Sequence, residues 1–241
     1  MMEDKQQAFK DLQRFKKFTD SIDVEFWLDW GTLLGAVREG KFIEWEQDID
    51  LGFMYKDLEK IADNKEILES YGFRLFPKPE GFAAIADGKT SKIDLGGYVE
   101  NDKWILQKCQ EPNRLGDFFD LLLFILYQYD VNYKYETKWS KQFLGRLQRF
   151  SNSLTYDIRK KSILIVERLN KVVGVKKHWI VMTPKALIKE FKEIKFYDSY
   201  FNIPFKEISY LEHLYGFDWQ TPKNYLECNK WEEFQNVEEL K

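Results

Sequence analysis

Cysteine and histidine are scarce in this chain, with two of each among 241 residues. This scarcity excludes a disulfide framework, and Cys109 and Cys228 lack the paired spacing of a zinc site. Long apolar runs are missing too: the longest, Phe118 to Tyr127, contains Asp120 and falls far short of the ~20 residues of a membrane-spanning helix. The first residues are charged and carry no apolar run, so we expect no secretory signal and a cytoplasmic protein with free thiols.

An excess of charge of either sign is also absent. Lys and Arg number 37 against 40 Asp and Glu, a net charge of −3, which gives no sign of a nucleic-acid partner. Hydrophobic residues make up 44% and charged residues 32%, values that exclude a disordered chain. The length predicts one to two domains.

The charge is nevertheless unevenly distributed along the chain. Residues 134–180 contain 12 Lys and Arg against 3 Asp and Glu, a local charge of +9, so the remainder carries −12. One interpretation is a pair of helices with solvated basic faces. The other is a surface for an anionic acceptor, or a peripheral contact with the inner face of an anionic membrane.

Hydrophobic periodicity predicts alternating helices and short strands in the first half of the chain and mostly helices after it. Helices are expected over residues 3–19, 33–37 with Thr32 as the cap, 56–70, much of 117–169, and 205–215; strands over 24–28, 48–53, 73–76, 82–86, 92–99 and 104–106; and a loop over 196–204. The pattern predicts an α+β fold: a small mixed sheet flanked by helices, then a mainly helical C-terminal part. We place the boundary between residues 1–115 and 116–241.

The most informative chemistry lies in Asp48 and Asp50, two residues apart in a predicted strand. Side chains at i and i+2 share one face of a strand, so these acids point the same way, and Glu46 extends the acidic face by one step. A second predicted strand carries Asp94 between Ile93 and Leu95, which suits a third carboxylate for one or two Mg²⁺ or Mn²⁺ ions. Taken alone, two acids at this spacing are more often the charged edge of a sheet that blocks aggregation than a metal site.

The residues near Asp48 and Asp50 in the sequence favour a catalytic role over a charged sheet edge. Gly31 and Thr32 lie at a predicted strand-to-helix turn, where backbone N–H groups and the helix dipole favour a phosphate. Arg38 follows on the same predicted helix and offers a bidentate fork for phosphate oxygens. A phosphate cradle, an arginine and an acidic strand in one short segment indicate phosphoryl transfer.

Two segments resemble the signatures of the LicD family, which includes phosphocholine transferases and fukutin-related ribitol-phosphate transferases. The first, at residues 27–53, reads WLDWGTLLGAVREGKFIEWEQDIDLGF. The second, at residues 196–222, reads FYDSYFNIPFKEISYLEHLYGFDWQTP and resembles the C-terminal signature of that family. One departure is Glu46, where members of the family often have Asp.

The resemblance implies a nucleotidyltransferase-like fold and transfer of a phospho-alcohol, such as phosphocholine, from a CDP-activated donor to a hydroxyl of a glycan or lipid-linked glycan precursor. It implies that Asp48, Asp50 and Asp94 hold Mg²⁺ and serve catalysis, with Asp94 accepting the proton of the acceptor hydroxyl. It assigns Gly31, Thr32 and Arg38 to donor binding, and we group Glu46 with these substrate-binding residues.

Two other functions stay open at this stage. One is a true nucleotidyltransferase that moves a nucleoside monophosphate onto a sugar or small alcohol and releases pyrophosphate. The other is a glycan-binding relative without catalysis, for which nucleotide binding would not depend on Mg²⁺.

Overall fold

The computed structural model describes residues 5–46, 48–78, 81–87, 91–112, 114–126, 141–173, 175–222 and 237–239. They form two compact units. The first is drawn from Met1–Cys109 and Trp179–Glu239, and the second from Gln110–His178 with Leu240–Lys241. The chain therefore leaves the first unit and returns to it, whereas the sequence-based boundary at residue 116 assigns everything after it to one part.

The described helices and strands follow in chain order. The helices are α1 Lys5–Ser21, α2 Trp30–Arg38, α3 Tyr55–Asp63, α4 Lys65–Ser70, α5 Arg114–Leu126, α6 Lys141–Ser153, α7 Tyr156–Val173 and α8 Glu207–Tyr215, with a short 3₁₀ turn at Lys185–Leu187. The strands are β1 Trp27–Leu28, β2 Ile49–Met54, β3 Phe73–Lys78, β4 Gly81–Ala86, β5 Lys92–Asn101, β6 Trp104–Pro112, β7 Val175–Pro184, β8 Phe191–Phe196, β9 Ser199–Pro204 and β10 Val237–Glu239.

The main sheet is mixed, and its strands run in the order β1-β2-β5-β6-β7-β10. Strands β2 and β5 are parallel, while β5 also pairs with β4 in the antiparallel sense, and β4 with β3. The expectation of a mixed sheet flanked by helices is therefore confirmed, although with eight described strands the sheet is larger than predicted. Strand β5 lies between β2 and β4 along its first half, which makes it the centre of the sheet.

Apolar residues at helical and strand spacing form the core of the first unit. Helix α1 buries Leu12, Phe15 and Phe18 along one face. Strand β2 buries Ile49 and Leu51, which lie on either side of Asp50. The predicted helix over residues 56–70 is two helices, α3 and α4, that meet at Asn64.

The prediction of a loop over residues 196–204 is wrong, because β8 and β9 form an antiparallel hairpin that includes these residues. Tyr197 begins the two-residue turn with φ of 54°, a left-handed conformation that is uncommon for a bulky residue. Its ring lies 4.6 Å from that of Phe9, and its hydroxyl accepts a hydrogen bond from the Phe42 N–H at 3.3 Å. These contacts hold a turn that contains no glycine.

In the predicted mainly helical C-terminal part, the described helices α5 to α7 end at Val173, and the hydrogen-bonded strands β7 to β9 follow before the last described helix, α8. In the second unit, α5 packs against α6 and α7, and the buried Ser151 hydroxyl donates to the Ile125 carbonyl at 2.9 Å. Residues 127–140 of the predicted helical region lie outside the described residues. No helix in the described ranges is both long and apolar enough to span a bilayer.

Candidate active site

The predicted acidic strand is β2, which lies beside the central strand β5 of the main sheet. Asp50 in β2 is the register partner of Asp94 in the parallel strand β5, and Asp48 directly precedes β2. Neighbouring in-register residues of a sheet point to the same face, so the three acids share one face. Ile49 and Leu51, which are almost fully buried, fix the opposite face.

A fourth carboxylate joins these three from the segment before β2. Glu46, Asp48 and Asp50 each offer a carboxylate oxygen, and these oxygens lie within 4.8 Å of one another. The carboxylate of Asp94 lies beside the Lys92 ammonium instead, with Oδ2 2.9 Å from Nζ. We call Glu46, Asp48, Asp50 and Asp94 the acid site.

Burial and mutual repulsion dominate the electrostatics of the acid site. Burial, with the charge of Asp48, raises the pKa of Glu46 to about 7. Burial also raises the pKa of Asp50 well above its usual range, with further contributions from Asp48, Glu46 and Asp94. Burial lowers the pKa of Lys92, but the charges of Asp48 and Asp94 outweigh this effect and raise it.

These residues fit a hard divalent cation. Carboxylate oxygens are the ligands that Mg²⁺ and Mn²⁺ prefer, and at least three carboxylates converge here. Buried like charges are unfavourable unless a cation lies among them, and the raised pKa values of Glu46 and Asp50 record that cost.

Without divalent cations, we expect the free energy of unfolding to fall as the pH rises from 4.5 to about 7. The reason is that the fold raises the pKa of Glu46 from its ordinary value of 4.5 to about 7. The folded state then binds the Glu46 proton more tightly than the unfolded state, so deprotonation favours unfolding. Urea unfolding in EDTA across this range measures the slope. Glu46→Gln should make the slope shallower, and an unchanged slope would contradict this origin.

Helix α2 begins beside the acid site, and its start corrects the predicted cap. The N-cap is Asp29, whose carboxylate accepts from the Trp30 N–H at 3.0 Å, and not Thr32. Thr32 is fully buried inside the first turn, where its Oγ1 accepts from the Asp50 N–H at 2.8 Å. The Gly31 N–H donates to Asp50 Oδ2 at 3.2 Å. Gly31 and Thr32 therefore both hold Asp50 in place, and their role in donor binding stays a prediction.

Gly31 also makes room for Glu46, because a Cβ at this position would overlap the Glu46 carboxylate. We expect Gly31→Ala to displace Glu46 and to lower Mg²⁺-dependent turnover by about 10- to 100-fold, the scale expected when a supporting group of a metal site is lost. Gly145→Ala is the matched control, since a Cβ there meets nothing within 4 Å and alanine favours a helix. Equal turnover in the two variants would contradict the steric argument.

Arg38 does not lie at the start of α2, where Gly31 and Thr32 are. It lies in the last turn, seven residues after Gly31, or about 10 Å along the helix axis. Its Nη2 pairs with Glu39 Oε1 at 2.7 Å, and its side chain is 10% exposed. Seven residues are nearly two turns, so Arg38 and Gly31 share a helix face, and its contact with the donor stays a prediction.

Asp29 lies at the centre of a buried hydrogen-bond network that the sequence patterns did not indicate. The Tyr98 hydroxyl donates to Asp29 Oδ2 at 2.6 Å, and the Tyr210 hydroxyl donates to Oδ1 at 2.8 Å. Burial raises the pKa of Asp29, although these hydrogen bonds oppose the shift. The network joins α2, β5 and α8 at the side of Asp50, whose carbonyl accepts from the Asp29 N–H at 3.1 Å.

The sequence did contain a signal for two of the residues that were not predicted, Lys92 and Tyr98. The alternation that turns Asp94 away from the buried face of β5 also places Lys92 and Tyr98 on the face of Asp94. Following that period of two in both directions would have added both residues to the candidate site. Nothing local links Asp29 to Tyr210, which lies 181 residues further along the chain.

The chain is similar to a known family and to curated proteins. Residues 23–151 match the family model described as LicD/FKTN/FKRP, nucleotidyltransferase domain. Ribitol 5-phosphate transferase FKRP, in both Mus musculus and Homo sapiens, is 44% identical over 100 residues, covering 36% of this chain and 20% of the relative. The match thus spans about a fifth of the length of these relatives.

Two solved structures of the antibiotic-resistance factor ANT(2'')-Ia are also similar. Its solution structure has 14% identity and a TM-score of 0.36, covering 70% of this chain and 95% of that one. The crystal structure with adenylyl-2''-tobramycin has 15% identity and a TM-score of 0.33, with coverages of 68% and 98%.

The matched family region contains α2 and both strands of the acid site, but it ends before the second segment that resembles a family signature. Since that region is more than half of the 241 residues, this protein belongs to the LicD family.

Proposed function

We propose that this LicD-family transferase moves a phospho-alcohol, such as phosphocholine, from a CDP-activated donor to a hydroxyl of a glycan or lipid-linked glycan precursor. The observation that supports it best is the acid site, in which Asp48 and Asp50 share a sheet face with Asp94 beside the start of α2. The similarity to a ribitol 5-phosphate transferase supports the class of group transferred.

In this proposal Asp48 and Asp50, with Glu46 close to both, would hold Mg²⁺ or Mn²⁺, while Asp94, predicted from the sequence as the third ligand, contacts the Lys92 ammonium. Bound there, such a cation would supply positive charge that offsets the negative charge of the diphosphate and of the leaving nucleotide. The chain itself supplies orientation: the Gly31 N–H and the Thr32 hydroxyl fix both the side chain and the backbone of Asp50.

The proposed reaction is a phosphoryl substitution. The acceptor hydroxyl oxygen forms a bond to the phosphorus distal to the nucleoside, and the bond from that phosphorus to the bridging oxygen breaks. CMP leaves with the bridging oxygen, and the hydroxyl proton passes to a carboxylate, for which we propose Asp94. Asp94 is suitably placed because it lies on the central strand, opposite Asp50.

Thermal stabilisation by candidate donors tests this function without knowledge of the acceptor. CDP-choline, CDP-ribitol, CDP-glycerol and nucleoside triphosphates are compared with and without Mg²⁺. A ligand that binds the folded state raises its stability by mass action, so one CDP-alcohol should raise Tm by several degrees, and only with Mg²⁺. Stabilisation by triphosphates alone would contradict the proposed donor.

The first alternative is transfer of a nucleoside monophosphate. It is supported by the description of the matching family model, which names a nucleotidyltransferase domain. It shares the acid site but takes a triphosphate and releases pyrophosphate. The second alternative, a glycan-binding relative without catalysis, predicts nucleotide binding that is the same with and without Mg²⁺, which calorimetry measures.

We also propose that the basic region 134–180 contacts an anionic membrane from the cytoplasmic side, where the acceptor would be found. Within its described part, α7 exposes Ile165, Leu169 and Val172, and Lys161 and Arg168 are exposed on the same helix. Apolar and basic side chains on one helix suit the surface of an anionic bilayer.

Vesicle sedimentation measures this contact. Binding to phosphatidylglycerol vesicles, but not to phosphatidylcholine vesicles, should weaken as salt rises, and Lys161→Glu with Arg168→Glu should reduce it about tenfold or more. Lys56→Glu, an exposed position on α3 in the other unit, is the matched control. Equal loss in the control would show a general charge effect and contradict the assigned surface.

A further inference from the structure

Lys92 bridges the two acidic strands. It lies two residues before Asp94 on β5 and therefore on the same face. Its Nζ lies 2.7 Å from Asp48 Oδ2 and 2.9 Å from Asp94 Oδ2, and its side chain is only 16% exposed. None of the substrate-binding or catalytic roles above uses this residue.

Asp48 belongs to two groups at once. With Glu46 and Asp50 it forms the set of close carboxylates, and with Asp94 it holds the Lys92 ammonium. In two-metal sites the two ions are ~3.5–4 Å apart and act together on one phosphoryl group. In such a site the two ions would share a carboxylate. The Lys92 ammonium contacts Asp48, the carboxylate that a second ion would share with the first.

The local charge favours one divalent ion rather than two. Carboxylates that bind a metal are deprotonated, so with a cation bound the four carboxylates and the ammonium sum to −3, and a single divalent cation leaves −1. A second would have to displace the ammonium from two charge-assisted contacts in a mostly buried position.

We propose that Lys92 is the second cation of the acid site: one divalent ion binds at Glu46, Asp48 and Asp50, and the ammonium takes the place of a second metal and contacts a phosphate oxygen of the donor. An ammonium has three N–H donors, and the two ion pairs use two of them. A lysine binds phosphate as a point charge. The phosphate contact rests on the proposed function, whereas the cation count does not.

Calorimetric titration of the full chain with Mn²⁺ alone measures how many divalent ions bind per chain. The wild type should bind one Mn²⁺ per chain, Lys92→Arg should also bind one because it keeps the charge, and Lys92→Met should bind two. Two ions in the wild type, or one in Lys92→Met, would overturn the proposal. Circular dichroism checks that each variant folds.

Electron paramagnetic resonance of the wild type keeps the test decisive if Lys92→Met fails to fold. After unbound Mn²⁺ is removed, the spectrum should be that of an isolated ion. Broadening by spin coupling between two neighbouring Mn²⁺ ions would overturn the proposal.

CDP affinity in the presence of Mn²⁺ tests the phosphate contact. Lys92→Met should weaken CDP binding about tenfold or more, the loss expected for a hydrogen bond to a charged group, and Lys92→Arg less. Unchanged affinity in Lys92→Met would overturn the contact.

The outcomes separate this inference from the proposed function. Two bound ions would overturn the inference alone. One bound ion without any transfer from a CDP-alcohol would overturn the proposed function alone. No bound Mn²⁺ would contradict both the inference and the metal dependence.

Discussion

Asp50→Asn is expected to lower turnover by about 1000-fold or more while the protein stays folded. The substitution removes a proposed metal-binding charge but keeps the shape of the side chain and an oxygen that can accept from the Gly31 N–H. A 1000-fold loss corresponds to about 4 kcal/mol of transition-state stabilisation, a plausible scale for removing a ligand of a catalytic metal.

The same variant should be at least as stable as the wild type when metal is absent. Burial and the charges of Asp48, Glu46 and Asp94 raise the pKa of Asp50, so its ionised form destabilises the metal-free fold at neutral pH. We expect Asp50→Asn to have an equal or higher Tm in EDTA, and a smaller rise in Tm on addition of Mg²⁺.

Asp63→Asn is the matched control, since it makes the same chemical change at an exposed position in the same unit. It should leave turnover and the response to Mg²⁺ unchanged. Wild-type turnover in Asp50→Asn, or an equal loss in Asp63→Asn, would contradict the role of the acid site.

Asp29→Ala is expected to cost about 3 kcal/mol of folding free energy. The substitution removes the N-cap of α2 and the acceptor of two buried tyrosine hydroxyls. A lost cap costs ~1 kcal/mol, and the Tyr98 and Tyr210 hydroxyls, whose oxygens are 3.4 Å apart, keep only each other as partners, so the lost hydrogen bonding costs a further ~1–3 kcal/mol. For a chain of this length, the loss corresponds to a fall in Tm of about 10 °C.

Smaller changes at the same network provide the comparison. Tyr98→Phe and Tyr210→Phe each remove one donor and leave Asp29 with its other partners, so each should cost less than Asp29→Ala. Asp20→Ala removes an exposed carboxylate paired with Lys16 and should cost within ~1 kcal/mol. Thermal unfolding measures all four variants, and a near-neutral Asp29→Ala would contradict the structural role of the network.

The sequence was informative about the acid site because alternation is a local property. The buried residues Ile49, Leu51 and Ile93 determine which face Asp48, Asp50 and Asp94 occupy, and the residues that alternate with them are adjacent in the chain. The pairing of Asp50 with Asp94 joins residues 44 positions apart through a parallel register. Periodicity does not carry that register, so the proximity of the two strands was an expectation that needed the structure.

The errors arose where distant contacts decide local structure. Thr32 and Asp29 are both suitable N-cap residues, and the choice of Asp29 depends on Tyr98 and Tyr210, far away in sequence. The β8–β9 hairpin was misread because its turn has no glycine and depends on the packing of Tyr197 against Phe9. The strands after Val173 were missed because β7 belongs to a sheet whose other strands come earlier and later in the chain.

Phosphorus NMR of the products tests the central claim most directly. The protein is incubated with Mg²⁺, a glycan acceptor and the CDP-alcohol that stabilises it best. Our account predicts that CMP and a new phosphodiester on the acceptor form together, and that both disappear in EDTA and in Asp50→Asn. Pyrophosphate released from a nucleoside triphosphate, with a nucleotide attached to the acceptor and no CMP from any CDP-alcohol, would contradict it.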